Sequence, residues 1–338
     1  MSALPTERLL ASYWIPEVGI GNPIQEVVVP LTDVLNYTLA NQQPQTNVVF
    51  LGFAAFTGSP TDFAPPYLSI PKSILEQLTV QPGQSQSAVE QLQSAGIQVL
   101  LSVQGYTPSG QPSGMGWDGV PADQNEAFAA WVQTDVIEQY GLDGIDIDNE
   151  WSGLTPDPQS FVDTVAALRN SLAGSLITKA LWADLSPYDY FTIPVSSSSP
   201  YYPGQTLASL LDFGSTMAYG YSTFAQEELV AAYQRAGMAW NQLCTGVQAG
   251  PPPPYGQWMT PIGEVSDLAQ WVVAPEGDGK TVPPILGMML YTFSQDIQQW
   301  TYGPQNSPGY MFPNPNDHQW QQAIVEGMWG PGNWVVKS

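Results

Sequence analysis

Positive charge is scarce in this sequence. Its 338 residues include 7 Lys and Arg against 30 Asp and Glu, which gives a formal net charge of −23 at pH 7. A surface this acidic repels the phosphates of nucleic acids and of anionic membranes. We therefore expect neither nucleic acid nor a membrane as a partner, whereas the charge does not affect the binding of a neutral substrate.

Cysteine and histidine are each present once. Cys244 has no second cysteine to pair with, so an intrachain disulfide is excluded, and its apolar surroundings predict a buried side chain. Any Ser-His-Asp triad would have to use His318, and the sequence has no Gly-x-Ser-x-Gly turn to carry the nucleophile. Zinc ligands are equally few. These absences leave carboxylates as the candidate chemistry, and we expect no metal or organic cofactor.

Long hydrophobic runs are missing as well. No stretch is long enough to span a membrane as a helix. The apolar run within residues 1–16 is too short and too interrupted for a secretory signal.

The most informative segment is 143–150, which reads Asp-Gly-Ile-Asp-Ile-Asp-Asn-Glu. Its last three acidic residues, Asp146, Asp148 and Glu150, occupy alternate positions, and alternation at period two predicts a strand with all three on one face. Neighbouring carboxylates would then lie roughly 6–7 Å apart. Like charges this close raise at least one pKa, which suits an acid that protonates a glycosidic oxygen. A solvated surface run or a calcium loop fits less well, because isoleucines alternate with the acids and no glycine-turned loop is present.

Helices are predicted on both sides of this strand. Apolar spacing predicts a helix over Asn125–Tyr140, with Asp123 and Glu126 as a capping box and Gly141 as its end. A second amphipathic pattern covers Phe161–Leu172. The acidic face ends at the carboxyl edge of the strand, which is the edge that carries the chemistry in a (β/α)8 barrel.

The rest of the chain repeats this alternation of strands and helices. We predict one domain over residues 1–338 with an α/β fold, a single (β/α)8 TIM barrel with loop insertions, and a last helix near His318–Glu326. The eight predicted strands are Leu9–Tyr13, Val48–Phe53, Val99–Val103, Gly144–Ile147, Ala180–Trp182, Ser215–Tyr219, Leu243–Val247 and Ile285–Leu290.

The octapeptide resembles the DGxDxDxE signature of family 18 glycoside hydrolases. Upstream, Ser102 matches the serine of that family's SxGG motif, whereas Gln104 stands where its first glycine would be. The similarity is greatest over about residues 90–175 and is closest to the single-domain endo-β-N-acetylglucosaminidases of the endoglycosidase H type. The resemblance implies an N-acetylglucosamine-containing glycan as the substrate. We also expect a secreted, monomeric protein.

The resemblance also implies a substrate-assisted retaining mechanism. Glu150 would be the general acid and later the base, while the substrate's 2-acetamido oxygen attacks the anomeric carbon. Asp148 would orient that acetamide, and Asp146 would share a proton with Asp148.

Further candidate residues follow from the same resemblance. Tyr219 would hydrogen-bond the acetamido group, and Gly220 replaces the aspartate of the chitinase MxYD segment. Tyr291 would form the floor under the sugar where many chitinases carry tryptophan. Gln104 is an additional candidate for substrate binding. Independently of the resemblance, Trp151 is another candidate because it directly follows Glu150.

Three functions remain open on the sequence alone. The first is an endo-β-N-acetylglucosaminidase that cuts the chitobiose core of N-linked glycans, which Gly220 and Tyr291 favour. The second is a chitinase that hydrolyses chitin or chitooligosaccharides. The third is a non-catalytic, chitinase-like glycan-binding protein, and the complete set of carboxylates argues against it.

Overall fold

A computed structural model describes residues 4–5, 8–20, 25–105, 115–150, 157–184, 190–250, 259–274, 282–296 and 318–337. The strands of this part of the chain are β1 Leu9–Trp14, β2 Glu17–Ile20, β3 Gln25–Val28, β4 Tyr37–Thr38, β5 Val48–Phe56, β6 Leu68–Ser69, β7 Gln98–Gln104, β8 Gly144–Asp148, β9 Leu176–Leu181, β10 Phe213–Thr216, β11 Leu243–Gln248, β12 Gly287–Tyr291 and β13 Val335–Val336.

Eight parallel strands close into a barrel. Around it the order is β1-β12-β11-β10-β9-β8-β7-β5, and β5 pairs with β1 to complete the ring. β6 adds to β5 in antiparallel orientation, and the pairs β2–β3 and β4–β13 lie outside the barrel. The predicted (β/α)8 TIM barrel is therefore confirmed.

Helices follow most barrel strands. The α-helices are α1 Lys72–Leu78, α2 Ala88–Ser94, α3 Asn125–Trp131, α4 Pro158–Ser171, α5 Leu207–Leu210, α6 Thr223–Arg235, α7 Ile262–Val273, α8 Phe293–Asp296 and α9 Gln319–Trp329. Short 3-10 helices cover Leu31–Asn36, Trp117–Gly119 and Trp240–Gln242. In the part of the chain that the structure covers, no helix is both long and apolar enough to cross a membrane.

The core has two layers, one on each side of the barrel wall. The larger layer lies between the strands and the helices. The smaller layer fills the barrel interior and includes Cys244, which is buried as predicted. Interior side chains share apolar or aromatic character and comprise Leu9, Ala11, Tyr13, Val48, Phe50, Leu100, Phe213, Cys244, Leu286 and Met289.

The predicted helix over Asn125–Tyr140 is present and begins at Asn125 as predicted, but its cap differs from the prediction. α3 continues through π-helical turns over Val132–Glu138, and Gly141 follows with φ +64°. The predicted capping box of Asp123 and Glu126 is wrong, because Gln124 occupies the cap position and its side chain makes no capping hydrogen bond. The adjacent Asn125 is buried instead.

Asn125 is held by the neighbouring helix α4. Its Oδ1 accepts hydrogen bonds from Thr164 at 2.8 Å and from Ser160 at 3.3 Å. Contacts between helices, rather than a local capping pattern, therefore position the start of α3.

Each of the eight barrel strands differs from its predicted bounds at one end or both, and two strands differ most. The fifth barrel strand covers Leu176–Leu181 rather than Ala180–Trp182. The polar residues Thr178 and Lys179 interrupt the apolar pattern of the sequence, although tertiary contacts bury both side chains. The sixth covers Phe213–Thr216 rather than Ser215–Tyr219, because its pairing with β9 ends at Thr216. Tyr219 consequently lies in the loop that follows β10.

Gly144 tests the register of the barrel wall at β8. It pairs with Leu176 of β9, and a Cβ added at Gly144 would overlap the Leu176 carbonyl oxygen. We expect Gly144→Ala to lower the free energy of unfolding by about 1–3 kcal/mol in urea denaturation. Gly263→Ala in α7 is the matched control, because its added Cβ meets no atom within 4 Å and should change stability by less than about 1 kcal/mol in the favourable direction. Equal stability of the two variants would contradict this register.

Candidate active site

The acidic residues of β8 lie at the centre of a hydrogen-bonded group. The register pairs Asp146 with Ser102 of β7 on one side and with Thr178 of β9 on the other. Both hydroxyls donate to the Asp146 carboxylate at 2.7 Å, and the hydroxyl of Tyr13 from β1 donates to it at 2.7 Å as well. Asp146 is thus held by three donors from three different strands.

Burial and hydrogen bonding act in opposite directions on Asp146. The side chain is 1% exposed, and burial raises its pKa above the ordinary value. The hydrogen bonds from Thr178, Tyr13 and Ser102 lower the pKa, because all three donate to the ionised form. These bonds allow a buried carboxylate to carry charge inside the barrel.

Asp148 lies one step nearer the carboxyl edge of β8. It is 3% exposed, and burial raises its pKa well above the ordinary range, with further contributions from the charges of Glu150 and Asp146. Its Oδ1 has no hydrogen-bond partner within the described ranges of the chain. A buried carboxylate oxygen in this state is suited to accept a hydrogen bond from a bound molecule.

Glu150 follows the end of the strand and is less buried than the two aspartates. Burial is also the main cause that raises its pKa. Because Asp148 and Glu150 repel each other when both are ionised, the pair keeps one proton to higher pH than an isolated carboxyl would. This arrangement supplies one proton donor and one anion side by side.

A cavity of about 430 Å³ opens above the two carboxyls. Its walls are mostly aromatic and amide side chains from the carboxyl ends of several strands, the edge at which TIM barrels carry their sites. They comprise Tyr13, Phe53, Gln104, Asp148, Glu150, Trp182, Ala183, Met217, Tyr219, Tyr221, Gln248 and Tyr291.

Two tyrosines form one wall of this cavity. The rings of Tyr219 and Tyr291 stack with centroids 5.5 Å apart and an interplanar angle of 26°. Burial raises the pKa of each hydroxyl well above its usual value, and the nearby carboxyls raise it further. Both groups are therefore neutral hydrogen-bond donors at physiological pH.

The residue after Tyr219 has a backbone conformation that suits glycine. Gly220 has φ +73°, and its N–H donates to the hydroxyl of Thr260 at 3.0 Å. The same hydroxyl accepts from the backbone N–H of Gln248 at 3.1 Å, so Thr260 joins the ends of two neighbouring strands. An aspartate at 220 would be strained here, which is a physical reason for the departure from the MxYD pattern.

The structure brings most of the sequence-predicted site residues together. Asp148, Glu150, Gln104, Tyr219 and Tyr291 line one cavity, and Asp146 lies directly behind it. The remaining candidate, Trp151, lies outside the described residues.

Several residues of the site were missed by sequence reasoning. Tyr13 and Thr178 bind Asp146, and Trp182 lines the cavity while its Nε1 donates to the Asn149 carbonyl at 3.2 Å. The only sequence signal for them is that Tyr13 and Trp182 end predicted strands and that Thr178 lies two residues before one. Within the described ranges, no group of three or more His, Cys, Asp or Glu is arranged to hold a metal ion.

Comparisons with known proteins agree with this geometry. Residues 24–279, more than half of the chain, match the family described as glycosyl hydrolases family 18. An endo-beta-N-acetylglucosaminidase of Flavobacterium sp. (strain SK1022) is 34% identical over 139 residues, which cover 39% of this chain and 39% of that protein. The chain therefore aligns with well under half the length of this relative.

Solved structures share the fold at low sequence identity. An endo-beta-N-acetylglucosaminidase from Cordyceps militaris superposes with a TM-score of 0.54 and 16% identity, covering 95% of this chain and 91% of that one. A GH18 chitinase from the chitin utilization locus of Flavobacterium johnsoniae gives a TM-score of 0.58 and 13% identity, covering 95% and 94%. At these identities the likeness concerns the fold alone.

The hydrogen bond from Thr178 to Asp146 should be measurable as pH-dependent stability. Thr178→Val removes a donor to a buried carboxylate, and we expect a loss of about 1.5–3 kcal/mol in the free energy of unfolding at pH 8. Because the lost donor favoured the ionised form, the substitution raises the pKa of Asp146 further. The loss should therefore be complete above that pKa and shrink as pH falls through it.

Thr245→Val is the matched control for Thr178→Val. Thr245 is a fully buried threonine of β11 whose hydroxyl has no hydrogen-bond partner among the described residues, so its replacement should leave stability unchanged or raise it. Urea denaturation at several pH values compares the two variants. A loss for Thr178→Val that is the same at every pH would contradict the assigned hydrogen bond to an ionised Asp146.

Proposed function

This chain belongs to glycosyl hydrolase family 18, and we propose that it hydrolyses β-1,4 linkages next to N-acetylglucosamine by substrate-assisted retaining catalysis. The observation that carries the proposal is the pair formed by Asp148 and Glu150 at the base of the cavity. One carboxyl of the pair has an unpartnered buried oxygen, and the repulsion between the two retains a proton for acid catalysis.

The reaction follows from the positions of these groups. Glu150 donates its proton to the glycosidic oxygen as the bond to the anomeric carbon breaks. The substrate's 2-acetamido oxygen attacks that carbon, and the acetamido N–H donates to Asp148. Glu150, now ionised, then takes a proton from the water that opens the cyclic intermediate, which restores the starting state.

Substrate binding decides which carboxyl keeps the proton. In the free protein burial raises the pKa of both groups, and that of Asp148 is raised further by the charges of Glu150 and Asp146. A hydrogen bond from the acetamido N–H favours the ionised form of Asp148 and lowers its pKa. The shared proton then resides on Glu150, next to the bond that must be broken.

The remaining candidates orient the sugar. Tyr219 donates its neutral hydroxyl to the acetamido oxygen, and Tyr291 provides an aromatic floor, supported by the stacking of the two rings. Gln104 at the end of β7 contributes an amide to the same cavity. Asp146 acts from behind the site as a fixed anion. Its carboxylate accepts hydrogen bonds from three hydroxyl groups rather than from Asp148.

Within this reaction class we propose the chitobiose core of N-linked glycans as the substrate. Gly220 and Tyr291, in place of the chitinase aspartate and tryptophan, support this choice, as does the relative described as an endo-beta-N-acetylglucosaminidase. Hydrolysis of chitin or chitooligosaccharides is the second candidate, favoured by the aromatic lining of the cavity.

Glu150→Gln should abolish hydrolysis while leaving the fold intact. Loss of the general acid and base should lower kcat by about 10²–10⁴-fold or more, because the variant has neither a proton to donate nor a base for water. Glu126→Gln, at an exposed position of α3, is the control and should leave kcat unchanged. Substantial turnover by Glu150→Gln, measured as reducing-end release, would disprove the assignment.

Asp148→Asn should separate acetamide assistance from acid catalysis. The variant should lose kcat and also lose affinity for an N-acetylglucosamine-thiazoline, a mimic of the cyclic intermediate that should inhibit the unmodified protein competitively. Calorimetry measures the binding and a kinetic assay the inhibition. If the thiazoline does not inhibit the unmodified protein, an enzyme nucleophile rather than the substrate's acetamido group carries the reaction.

A competition assay identifies the substrate. The protein is incubated with a mixture of high-mannose glycoprotein and chitin hexasaccharide, and all products are read by mass spectrometry. We expect glycoprotein that retains one N-acetylglucosamine on each cleaved asparagine. Chitobiose and related oligomers alone would establish the chitinase instead. An absence of both products would favour a glycan-binding protein, and glycan-array binding by the same sample would then identify its ligand.

A further inference from the structure

Lys179 occupies an unusual position for a charged side chain. Its side chain is 1% exposed. No other Lys or Arg in the described part of the chain is fully buried. It lies on β9 opposite Ile147, between the two aspartates of β8 in the register. A buried ammonium group is costly unless nearby anions stabilise it.

The side chain lies on the outer face of the barrel wall. Its neighbour Thr178 points inward to Asp146, and successive residues of a strand point to opposite faces. Ile177 and Leu181, which share the face of Lys179, belong to the apolar layer under the helices. The carboxyls therefore lie on one side of the wall and the lysine on the other.

A backbone carbonyl helps to hold the charge in this layer. Nζ of Lys179 donates to the carbonyl oxygen of Ala180 at 2.8 Å. Because the side chain is buried, water screens the ammonium group little, and its field acts through the strand on the acidic side.

We propose that Lys179 is a positioning residue that controls from behind the barrel wall how many protons the site carboxyls hold. The proposal rests on the proposed function, since it concerns the same carboxyls. The positive charge of Lys179 keeps a single proton on the Asp148–Glu150 pair. Asp148 can then be ionised while Glu150 is protonated.

The electrostatics of the site agree in direction. The charge of Lys179 lowers the pKa of Asp146, Asp148 and Glu150, opposing the burial that raises all three. Among the described residues, Lys179 is the positively charged group that lowers the pKa of all three carboxyls.

Among the described residues, the other titratable groups beside these carboxyls are tyrosines. Tyr13, Tyr219 and Tyr291 have a pKa raised by burial and stay neutral over the working range. His318 lies elsewhere, with its ring 4.1 Å from that of Tyr37, and burial lowers its pKa to about 3. Among the groups that the structure describes, the pH response of the site is therefore that of the three carboxyls.

The test compares two neutral substitutions of Lys179 with one that keeps the charge. Lys179→Met removes the charge and the donor, Lys179→Gln removes the charge but keeps an N–H for the Ala180 carbonyl, and Lys179→Arg keeps the charge. Lys72→Met, at an exposed lysine paired with Glu76, makes the same change in net charge far from the carboxyls. For each variant kcat/KM on the N-glycan or chitin substrate is measured against pH.

Both limbs of the pH profile should move upward in the neutral variants. Activity needs Asp148 ionised, which sets the acidic limb, and Glu150 protonated, which sets the alkaline limb. Without the nearby positive charge both pKa values rise, and we expect each limb to move up by about 0.5–1.5 pH units. Lys179→Arg and Lys72→Met should keep the limbs in place. Limbs that stay in place in folded Lys179→Met and Lys179→Gln overturn the proposal.

Stability provides a readout that needs no substrate. The carboxyl pKa values are raised by folding, so stability falls as pH rises through the window between the unfolded and folded values. Loss of Lys179 raises the folded values and extends this window upward, which urea denaturation against pH detects. A protein that shows this shift but no hydrolysis refutes the proposed function alone, whereas hydrolysis with unmoved limbs refutes the role of Lys179.

A background without the acids covers a failure to fold. If both neutral variants are insoluble, each is remade with Asp148→Asn and Glu150→Gln, which remove the charges that the lysine balances. Recovery of folded protein in that background supports the electrostatic role. Continued failure to fold shows that the lysine is needed for packing, which overturns the proposal.

Discussion

The buried carboxylate of Asp146, with the three hydroxyls that donate to it, joins the site to the barrel. Its partners come from β1, β7 and β9, and Asp146 itself belongs to β8. A charged group at the centre of a barrel is tolerated only when its lone pairs are occupied by donors. These hydrogen bonds stabilise the buried charge and also hold four strands in register. They thereby fix the position of Asp148, the next residue on the same face of β8.

The chemistry of the site follows from charges at short range in a weakly polar medium. The three donors favour the ionised form of Asp146. Burial raises the pKa of Asp148, and the charges of Glu150 and Asp146 raise it further. Mutual repulsion keeps a proton in the pair, and the cavity above supplies aromatic surface and neutral hydroxyl donors. The barrel contributes a fixed geometry in which two carboxyl groups that can serve as acid and anion lie next to each other, as the proposed substrate-assisted catalysis requires.

Local sequence patterns predicted the parts of the fold whose signal is complete within a few residues. The alternation from Asp146 to Glu150 predicted a strand with an acidic face, and all eight barrel strands were located. The errors fall where distant contacts override the local signal. The fifth strand begins earlier than predicted because Lys179 interrupts its apolar pattern, and α3 lacks the predicted capping box because contacts with α4 position its start.

The sequence by itself singled out carboxylates as the candidate catalytic groups, placed them along one face of a strand and its end, and assigned that strand to a parallel barrel. These conclusions rest on residue type and on periodicity, which are local properties. Only the tertiary structure decided what surrounds the carboxylates. Tyr13 lies 133 residues before Asp146 in the chain. Lys179 lies beside the acidic strand, with its side chain on the opposite face of the barrel wall. Closure of the barrel brings these groups close together. A local sequence pattern does not predict these contacts, because barrel closure depends on the packing of all strands at once.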